Sequence, residues 1–275
     1  MLPKSKKRLG QNFLVDKNIQ KKLIAAYCLK AGDCVLEIGA GYGELTKLLA
    51  ANSGFVYAVE IDRQLCASLK ENTETYRNTK IINRDFLKLN LKNDLKGIKS
   101  RLTVIGNIPY YITTPIIERL FSYKDNIKTI FITVQKEFAM RVVASSGTKE
   151  YGSFSCFAQY HSQPKIHFLI KRTSFYPAPK VDSCLLELRV REVPAVKVKD
   201  EKFFFKVIRA SFNQRRKTLR NSLEGIISKS ELLEFFDKFN IDINIRPECL
   251  ALGDFANLSN SIKKYKKKVD KTNFM

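Results

Sequence analysis

The segment Cys34-Val35-Leu36-Glu37-Ile38-Gly39-Ala40-Gly41-Tyr42-Gly43 is the clearest indication of the fold class. A short, largely apolar run comes first, and three glycines at alternate positions follow it directly. Leucines at 45, 48 and 49 then recur with helical periodicity, so the glycines are predicted to form the turn between a strand and a helix. Glycine there permits positive φ and lets a ligand lie against the backbone. The spacing is G-x-G-x-G rather than G-x-G-x-x-G, so the turn alone fits a structural role as well as a binding role.

Similar β-branched runs recur along the chain, with helical periodicity between them. We predict strands over residues 34–38, 55–59, 80–82, 102–105 and 129–134, a pattern typical of βαβ units on a parallel sheet. Two later strands, over 165–170 and 184–189, flank the Pro-rich residues 175–179 and predict a hairpin-like edge. The expected fold class is α/β, a doubly wound, Rossmann-like sheet.

The character of the sequence changes near residues 194–200. Helices are predicted over 203–223, 230–239 and 254–264, with Ser230 as the N-cap of the second. We therefore expect an α/β domain over residues 1–194 and a small all-α domain over 195–275, which ends in a solvated Lys-rich tail at 263–268.

Composition narrows the classes of function. The 275 residues include 49 Lys+Arg and 27 Asp+Glu, a net charge of +22, which favours anionic partners such as nucleic acid. Six cysteines without a C-x-x-C pair, and only two histidines, predict no metal site and a reducing compartment. Since no run approaches the roughly 18 apolar residues of a membrane span, we expect a cytoplasmic protein with no membrane partner.

Two acidic residues follow later strands. Glu60 ends the second strand, where a carboxylate can accept both hydroxyls of a ribose, and Asp85 follows the third, where it can accept a hydrogen bond from an adenine amine. Either carboxylate alone could simply cap a turn. Together with Gly39 at the end of the first strand, they predict an adenosine-containing cofactor outside the carboxyl ends of the sheet.

The segment Asn107-Ile108-Pro109-Tyr110 follows the fourth strand. An adenine amine is a poor nucleophile because its lone pair is delocalised into the ring. Two acceptors, the Asn107 side-chain oxygen and the Ile108 carbonyl, could hold its hydrogens and free that lone pair. Pro109 would stiffen the turn, and Tyr110 would stack on an extracted base.

At this point the chain resembles a known family, the ribosomal RNA adenine dimethyltransferases, and within it the KsgA (RsmA) branch that acts on small-subunit RNA. The resemblance covers nearly the whole chain. It rests on residues 8–16 (RLGQNFLVD), 37–41 (EIGAG), 60–62 (EID), 107–110 (NIPY), 175–183 (FYPAPKVDS) and 212–221 (FNQRRKTLRN).

The resemblance implies S-adenosylmethionine as methyl donor, bound by Asn12, Leu14, Gly39, Glu60, Asp85 and Asn107. It implies two methyl transfers to each of two adjacent adenines in the terminal hairpin of small-subunit RNA, on an immature small subunit. Phe175 matches an aromatic residue that packs against the target base in related amino-methyltransferases. We expect direct in-line transfer by a monomer, with no covalent intermediate.

One predicted helix carries a concentrated positive charge. Between Glu201 and Glu224 there is no acidic residue, and at about 100° per residue the apolar side chains fall on one side and basic ones opposite. Arg216, Lys217 and Arg220 lie on the basic side and are predicted to contact RNA phosphates, although a charge run can also be only a solvated face.

Two other functions stay open. A large-subunit RNA adenine methyltransferase of the erythromycin-resistance type would share the cofactor and Asn-x-Pro-Tyr features. A non-catalytic nucleic-acid-binding factor could retain the same fold. The sequence Arg246-Pro247-Glu248-Cys249-Leu250 weighs against the first, and the acidic residues with Asn107 weigh against the second.

Overall fold

The structure is a computed structural model that describes residues 10–95, 100–214 and 217–262. Contacts between residues divide the chain into two compact units. Unit 1 consists of residues 1–140 and 161–193, and unit 2 of residues 141–160 and 194–275.

The elements alternate between strands and helices up to residue 143, and a second helix follows before the next strand. In chain order they are β1 (Phe13–Leu14), α1 (Lys17–Tyr27), β2 (Cys34–Ile38), α2 (Glu44–Asn52), β3 (Phe55–Glu60), α3 (Arg63–Asn72), β4 (Thr79–Asn83), α4 (Leu91–Asp94), β5 (Leu102–Asn107), α5 (Thr113–Phe121), β6 (Ile127–Gln135), α6 (Lys136–Val143) and α7 (Ser153–His161). Then follow β7 (Ser162–Ile170), β8 (Phe175–Tyr176), β9 (Ser183–Val190), α8 (Glu201–Asn213), α9 (Leu219–Ser222), α10 (Lys229–Lys238) and α11 (Leu252–Ser261).

Within the described residues of unit 1, seven strands form one sheet in the order β4-β3-β2-β5-β6-β9-β7. The first five pair in parallel, and β9 is antiparallel to both β6 and β7. The two predicted late strands therefore do form an antiparallel edge, and the doubly wound α/β fold is confirmed. A separate two-stranded sheet joins β1 to β8.

The central strands are apolar because both of their faces are covered. Val35, Leu36, Val56 and Val104 are fully buried, as expected for parallel strands between layers of helices. Register aligns the strand ends: Ile38 pairs with Val59 on one side and with Gly106 on the other. The carboxyl ends of four strands, β4, β3, β2 and β5, consequently meet at one edge of the sheet.

The glycine turn between β2 and α2 requires glycine at Gly43. Its φ is +87°, a left-handed conformation that side chains with a Cβ rarely adopt. A Cβ added there would lie 2.7 Å from the Cδ1 atom of Leu69 in α3. The turn thus packs tightly against a neighbouring helix.

Unit 2 has its own core. Phe204, Phe235 and Phe255, from α8, α10 and α11, are fully buried in it. Tyr151 and Cys156 belong to the same cluster. The prediction of a single boundary near residue 195 did not assign residues 141–160 to this unit; their aromatic and small apolar side chains complete its core.

Two predicted helix boundaries in unit 2 were wrong. The helix predicted over 203–223 ends at Asn213, and α9 begins after Thr218, whose hydroxyl accepts a hydrogen bond from the Asn221 N–H group. Ser228, not Ser230, caps α10, because it forms a reciprocal capping box with Glu231. The Lys-rich stretch 263–268 lies outside the described residues.

Of the helices in the described ranges, none combines the length and the apolar character that crossing a membrane requires.

Candidate active site

The candidate active site lies at the carboxyl edge of the unit 1 sheet. A cavity of about 120 Å³ opens there, and a second one of about 540 Å³ adjoins it. Phe13, Gly39, Gly41 and Asn107 line both cavities. The predicted residues Asn12, Glu60, Asp85, Ile108, Pro109 and Tyr110 line the smaller cavity, and Leu14 lines the larger.

Glu60, the last residue of β3, presents a buried carboxylate that is 5% exposed. The Gly41 N–H donates to its Oε2 and the Asp62 N–H donates to its Oε1, each over 2.9 Å. Burial raises the pKa of this carboxyl, and the backbone hydrogen bonds oppose that rise. Because a carboxylate has about four acceptor positions, Glu60 can also accept from ligand hydroxyls.

Asp85 follows β4 and caps the short turn Phe86–Lys88. Its Oδ1 accepts a 2.9 Å hydrogen bond from the Leu87 N–H group. The side chain is half-buried and lines the smaller cavity. Asp85 therefore has a structural role through one oxygen and retains a second acceptor oxygen for a ligand.

The orientation of the Asn107 amide is fixed by the N-terminal segment. Its Nδ2 donates to the Asn12 carbonyl over 2.9 Å. Since a carbonyl can only accept, this contact assigns the nitrogen and leaves Oδ1 as the atom able to accept from a ligand. A Cβ added to Gly39 would lie 3.4 Å from the Asn107 carbonyl oxygen, so the two strand ends approach each other closely.

The residues after Asn107 are held rigidly. The Ile108 side chain is buried, and Pro109 adopts φ −57° and ψ 134°. The Tyr110 hydroxyl lies 2.6 Å from the Oγ atom of Ser183. Burial raises the pKa of Tyr110, and its bond to Ser183 opposes that rise. The hydroxyl contact thus fixes the plane of the Tyr110 ring beside the cavity.

Strand β1 brings Asn12 and Leu14 to the site. Phe13 and Leu14 pair with Tyr176 and Phe175, and the Gln20 side chain donates to the Leu14 carbonyl over 2.8 Å. The Phe13 ring covers the glycine turn, because a Cβ on Gly41 would lie 3.3 Å from it. The N-terminal segment consequently forms one wall of both cavities.

Glu37 is a site residue that the sequence reasoning missed. It is 2% exposed, lines the larger cavity, and its Oε2 accepts a 2.6 Å hydrogen bond from the Thr46 hydroxyl. Burial raises its pKa to about 8. The available signal was a lone carboxylate in an otherwise apolar strand directly before the glycine turn.

Phe175 does not line either cavity. It is 3% exposed and belongs to a core cluster of unit 1. Its neighbour Tyr176 is 38% exposed. Contact between Phe175 and a target base was inferred from the resemblance alone, and in this conformation Tyr176 is the accessible ring.

The predicted RNA-binding residues lie in unit 2. Lys217 is exposed in the connection between α8 and α9, Arg220 is half-buried in α9, and Arg216 lies outside the described residues. On α8, Lys202, Lys206, Arg209 and Asn213 are exposed and line a groove of about 470 Å³, together with the half-buried ring of Phe205. The amphipathic character predicted for this helix is confirmed as far as Asn213.

Comparisons with curated proteins show near full-length similarity. Proteins named ribosomal RNA small subunit methyltransferase A from Moorella thermoacetica and from Clostridium botulinum (strain Kyoto / Type A2) are each 42% identical to this chain. The alignments span 265 and 260 residues, 94% of this chain and 92% and 94% of those proteins. The protein of the same name from Streptococcus gordonii is also 42% identical, over 266 residues, with 94% and 92% coverage.

Solved structures share the fold. A dimethyladenosine transferase from Plasmodium falciparum superimposes with a TM-score of 0.77 at 25% identity, covering 90% of this chain and 95% of that one. The 23S rRNA methyltransferase ErmE gives a TM-score of 0.71 at 24% identity, with 92% and 100% coverage, which shows a shared fold. A family model described as ribosomal RNA adenine dimethylase matches residues 3–264. On the strength of that match and of the full-length relatives, the chain belongs to the ribosomal RNA adenine dimethylase family.

Proposed function

We propose that this enzyme transfers methyl groups from S-adenosylmethionine to the exocyclic amines of two adjacent adenines in the 3′-terminal hairpin of small-subunit ribosomal RNA. The observation that carries the proposal is the fixed Asn107 amide, which lines both cavities and whose Oδ1 accepts no hydrogen bond from the described residues. The names of the relatives, at 42% identity over 94% of the chain, support the small subunit as substrate.

The residues at the sheet edge fit S-adenosylmethionine. Glu60 offers a buried carboxylate to the ribose hydroxyls, and Asp85 offers its second oxygen to the adenine amine. Gly39, with φ +79°, leaves open the space that a Cβ would fill beside Asn107. When bound, this cofactor supplies an electrophilic methyl group on a sulfonium.

The chain's own contribution is orientation and lone-pair exposure. The Asn107 Oδ1 atom and the Ile108 carbonyl accept the two hydrogens of the target amine, which draws its nitrogen toward tetrahedral geometry. Tyr110, fixed through Ser183, stacks on the extracted base. Because these dipoles are already in place, they need no reorganisation during transfer.

Unit 2 would hold the RNA outside the reacting base. Its groove on α8 contains the cations Lys202, Lys206 and Arg209 and the Phe205 ring. Proteins that bind single-stranded RNA contact its phosphates with cations and its bases with aromatic rings. Lys217, in the connection between α8 and α9, and Arg220, in α9, are the further phosphate contacts proposed in unit 2. The expected consequence is a salt-dependent affinity for RNA.

In the test, purified protein and labelled cofactor are incubated with undermethylated small subunits and, separately, with deproteinised large-subunit RNA, and the label in each RNA is measured. Label in the small-subunit adenines is expected for the wild type. For Asn107→Ala we expect a loss of about 10²–10³-fold in rate, the usual cost of removing one preorganised dipole, with RNA retention intact. Asn93→Ala removes an exposed asparagine instead and should behave as wild type.

Label in large-subunit RNA alone would overturn the choice of substrate. Absence of label in both RNAs, with RNA still retained on the protein, would favour a non-catalytic binding factor. Wild-type incorporation by Asn107→Ala would disprove the role given to that side chain.

We further propose a monomer that works in the cytoplasm without a metal ion. All six cysteines are free thiols, which is compatible with a reducing compartment. Sedimentation at equilibrium should give the mass of one chain, and chelators should leave methyl transfer unchanged.

A further inference from the structure

A basic groove of about 400 Å³ lies in unit 1, apart from the two active-site cavities. Its cations are Lys136, at the start of α6, Arg172, in the short turn Arg172–Ser174, and Lys180, after the Pro-rich stretch. All three are exposed, and within the described residues none of them forms an ion pair. The charges are therefore available to an external anion.

The groove is held together at Asp182. The Arg172 N–H donates to the Asp182 Oδ1 atom over 2.9 Å, and the Lys136 N–H donates to the Asp182 carbonyl over 3.0 Å. The start of α6 and the loop over residues 172–182, which are distant in sequence, are thus both tied to Asp182. Glu137 and Asp182 are the acidic side chains at the groove, and the Asp182 carboxylate already accepts a backbone N–H.

Asp182 and the next residue, Ser183, connect the groove to the active site. Ser183 follows Asp182 directly and holds the Tyr110 hydroxyl at 2.6 Å. In the sheet, Ser183 pairs with Gln135, the residue before Lys136. Any anion in the groove therefore lies at a fixed position relative to the ring proposed to carry the target base.

The loop that carries two of the groove's cations also carries exposed apolar side chains. Val181, 45% exposed, lines the groove, and Tyr176, 38% exposed, lies between Arg172 and Lys180 in the sequence. Proteins that bind single-stranded RNA combine cations, which neutralise phosphates, with aromatic rings on which bases stack.

We infer that this groove binds a backbone phosphate of the RNA strand beside the target adenosine, through Lys136, Arg172 and Lys180. The inference rests on the proposed function. It adds an RNA contact made by unit 1, independent of the basic helix of unit 2. This contact would position the target base against Tyr110.

The first experiment measures the affinity for a small-subunit hairpin RNA at several salt concentrations. Lys136→Ala/Lys180→Ala should lower the slope of log affinity against log salt by about 1.4, at about 0.7 per lost contact, and weaken binding about tenfold near 0.15 M salt. The matched control is Lys30→Ala/Lys128→Ala, which removes two exposed lysines. Lys30 lies just before β2 and Lys128 near the start of β6, so both are at the amino ends of the strands, away from the carboxyl edge that holds the active site. The control should have a small effect only.

The second experiment replaces one RNA phosphate at a time by an uncharged methylphosphonate. Replacement beside the target adenosine should weaken binding to the wild type, and it should add little to the defect of the double variant, because both changes remove the same contact. Lys180→Arg should restore binding, since it keeps the charge. Equal salt slopes in the double variant and the control, or additive losses at every phosphate, would overturn the inference.

These results separate the inference from the proposed function. Methylation of small subunits by the wild type tests the function alone. If the wild type methylates the subunit while the double variant keeps the wild-type slope, the groove is not a phosphate site and the function stands.

Discussion

The contact between Tyr110 and Ser183 gives the sharpest prediction. Tyr110→Phe removes the hydroxyl and leaves the Ser183 Oγ atom, in a fully buried residue, without its 2.6 Å partner. An unsatisfied buried hydroxyl costs about 1–3 kcal/mol, whereas removing both partners is nearly neutral. We therefore expect each of Tyr110→Phe and Ser183→Ala to destabilise unit 1, and the double variant to be less unstable than their sum by about 1 kcal/mol.

The same variants should slow methyl transfer, because a released ring no longer holds the base. Each 1.4 kcal/mol lost from the transition state corresponds to about tenfold in rate. The assay combines thermal unfolding, where about 2–4 °C per kcal/mol is expected for a domain of 150–250 residues, with initial rates on small subunits. Ser53→Ala removes another buried serine hydroxyl of unit 1, whose one hydrogen bond to the described residues goes to the Leu49 carbonyl of α2, and should leave the rate unchanged. Strictly additive destabilisation, or an unaltered rate in all three variants, would show that the Ser183 contact does not hold the Tyr110 ring in place.

Three further predictions concern the surrounding framework. Gly43→Ala should lower the unfolding midpoint more than Gly147→Ala. The two glycines have φ of +87° and +85°, but among the described residues an added Cβ meets a neighbour within 4 Å only at the first of the two, so thermal scans of the two variants compare strain plus overlap with strain alone. Burial raises the pKa of Glu37 to about 8 in the folded protein. The protonated carboxyl therefore stabilises the fold fully below the pKa that Glu37 has in the unfolded chain, and this stabilisation is lost as the pH rises toward 8. The unfolding midpoint of Glu37→Gln should consequently change less with pH than that of the wild type. Phe175→Ala should cost about 3–5 kcal/mol of stability as a core truncation, whereas Tyr176→Ala should weaken RNA binding with little change in the unfolding midpoint.

Much of the fold could be predicted from local patterns. A strand buried on both faces must be apolar, and the periodicity of a helix is visible wherever one face is buried. The helix boundaries in unit 2 were harder to predict, because the basic residues continue past Asn213 with a helical pattern although α8 ends there. At Gln214 the backbone leaves the helical conformation, with φ −126° and ψ 69°, and Thr218 caps a new helix, α9.

The site residues on strand ends were predictable for a geometric reason. Parallel strands place their carboxyl ends at one edge, so Gly39, Glu60, Asp85 and Asn107 had to be neighbours once the strands were identified. Glu37 could not be predicted in this way because it is the residue before the last of β2 and does not stand at the strand end. Only burial shows that it faces a cavity and titrates unusually.

The residue types at each strand end, and with them the hydrogen-bond acceptors at one sheet edge, can be identified in the sequence alone. How those groups are fixed follows from the folded chain: the Asn12 carbonyl orients Asn107, the Ser183 hydroxyl holds Tyr110, and the Asp182 contacts assemble the basic groove. The Asn107–Asn12 and Tyr110–Ser183 bonds join residues more than seventy positions apart. The bond between Lys136 and Asp182 joins the residue after β6 to the residue before β9, and these strands are neighbours in the sheet but not consecutive along the chain. Such pairs leave no periodic signal in a sequence, because their proximity depends on the order and register of strands in the sheet.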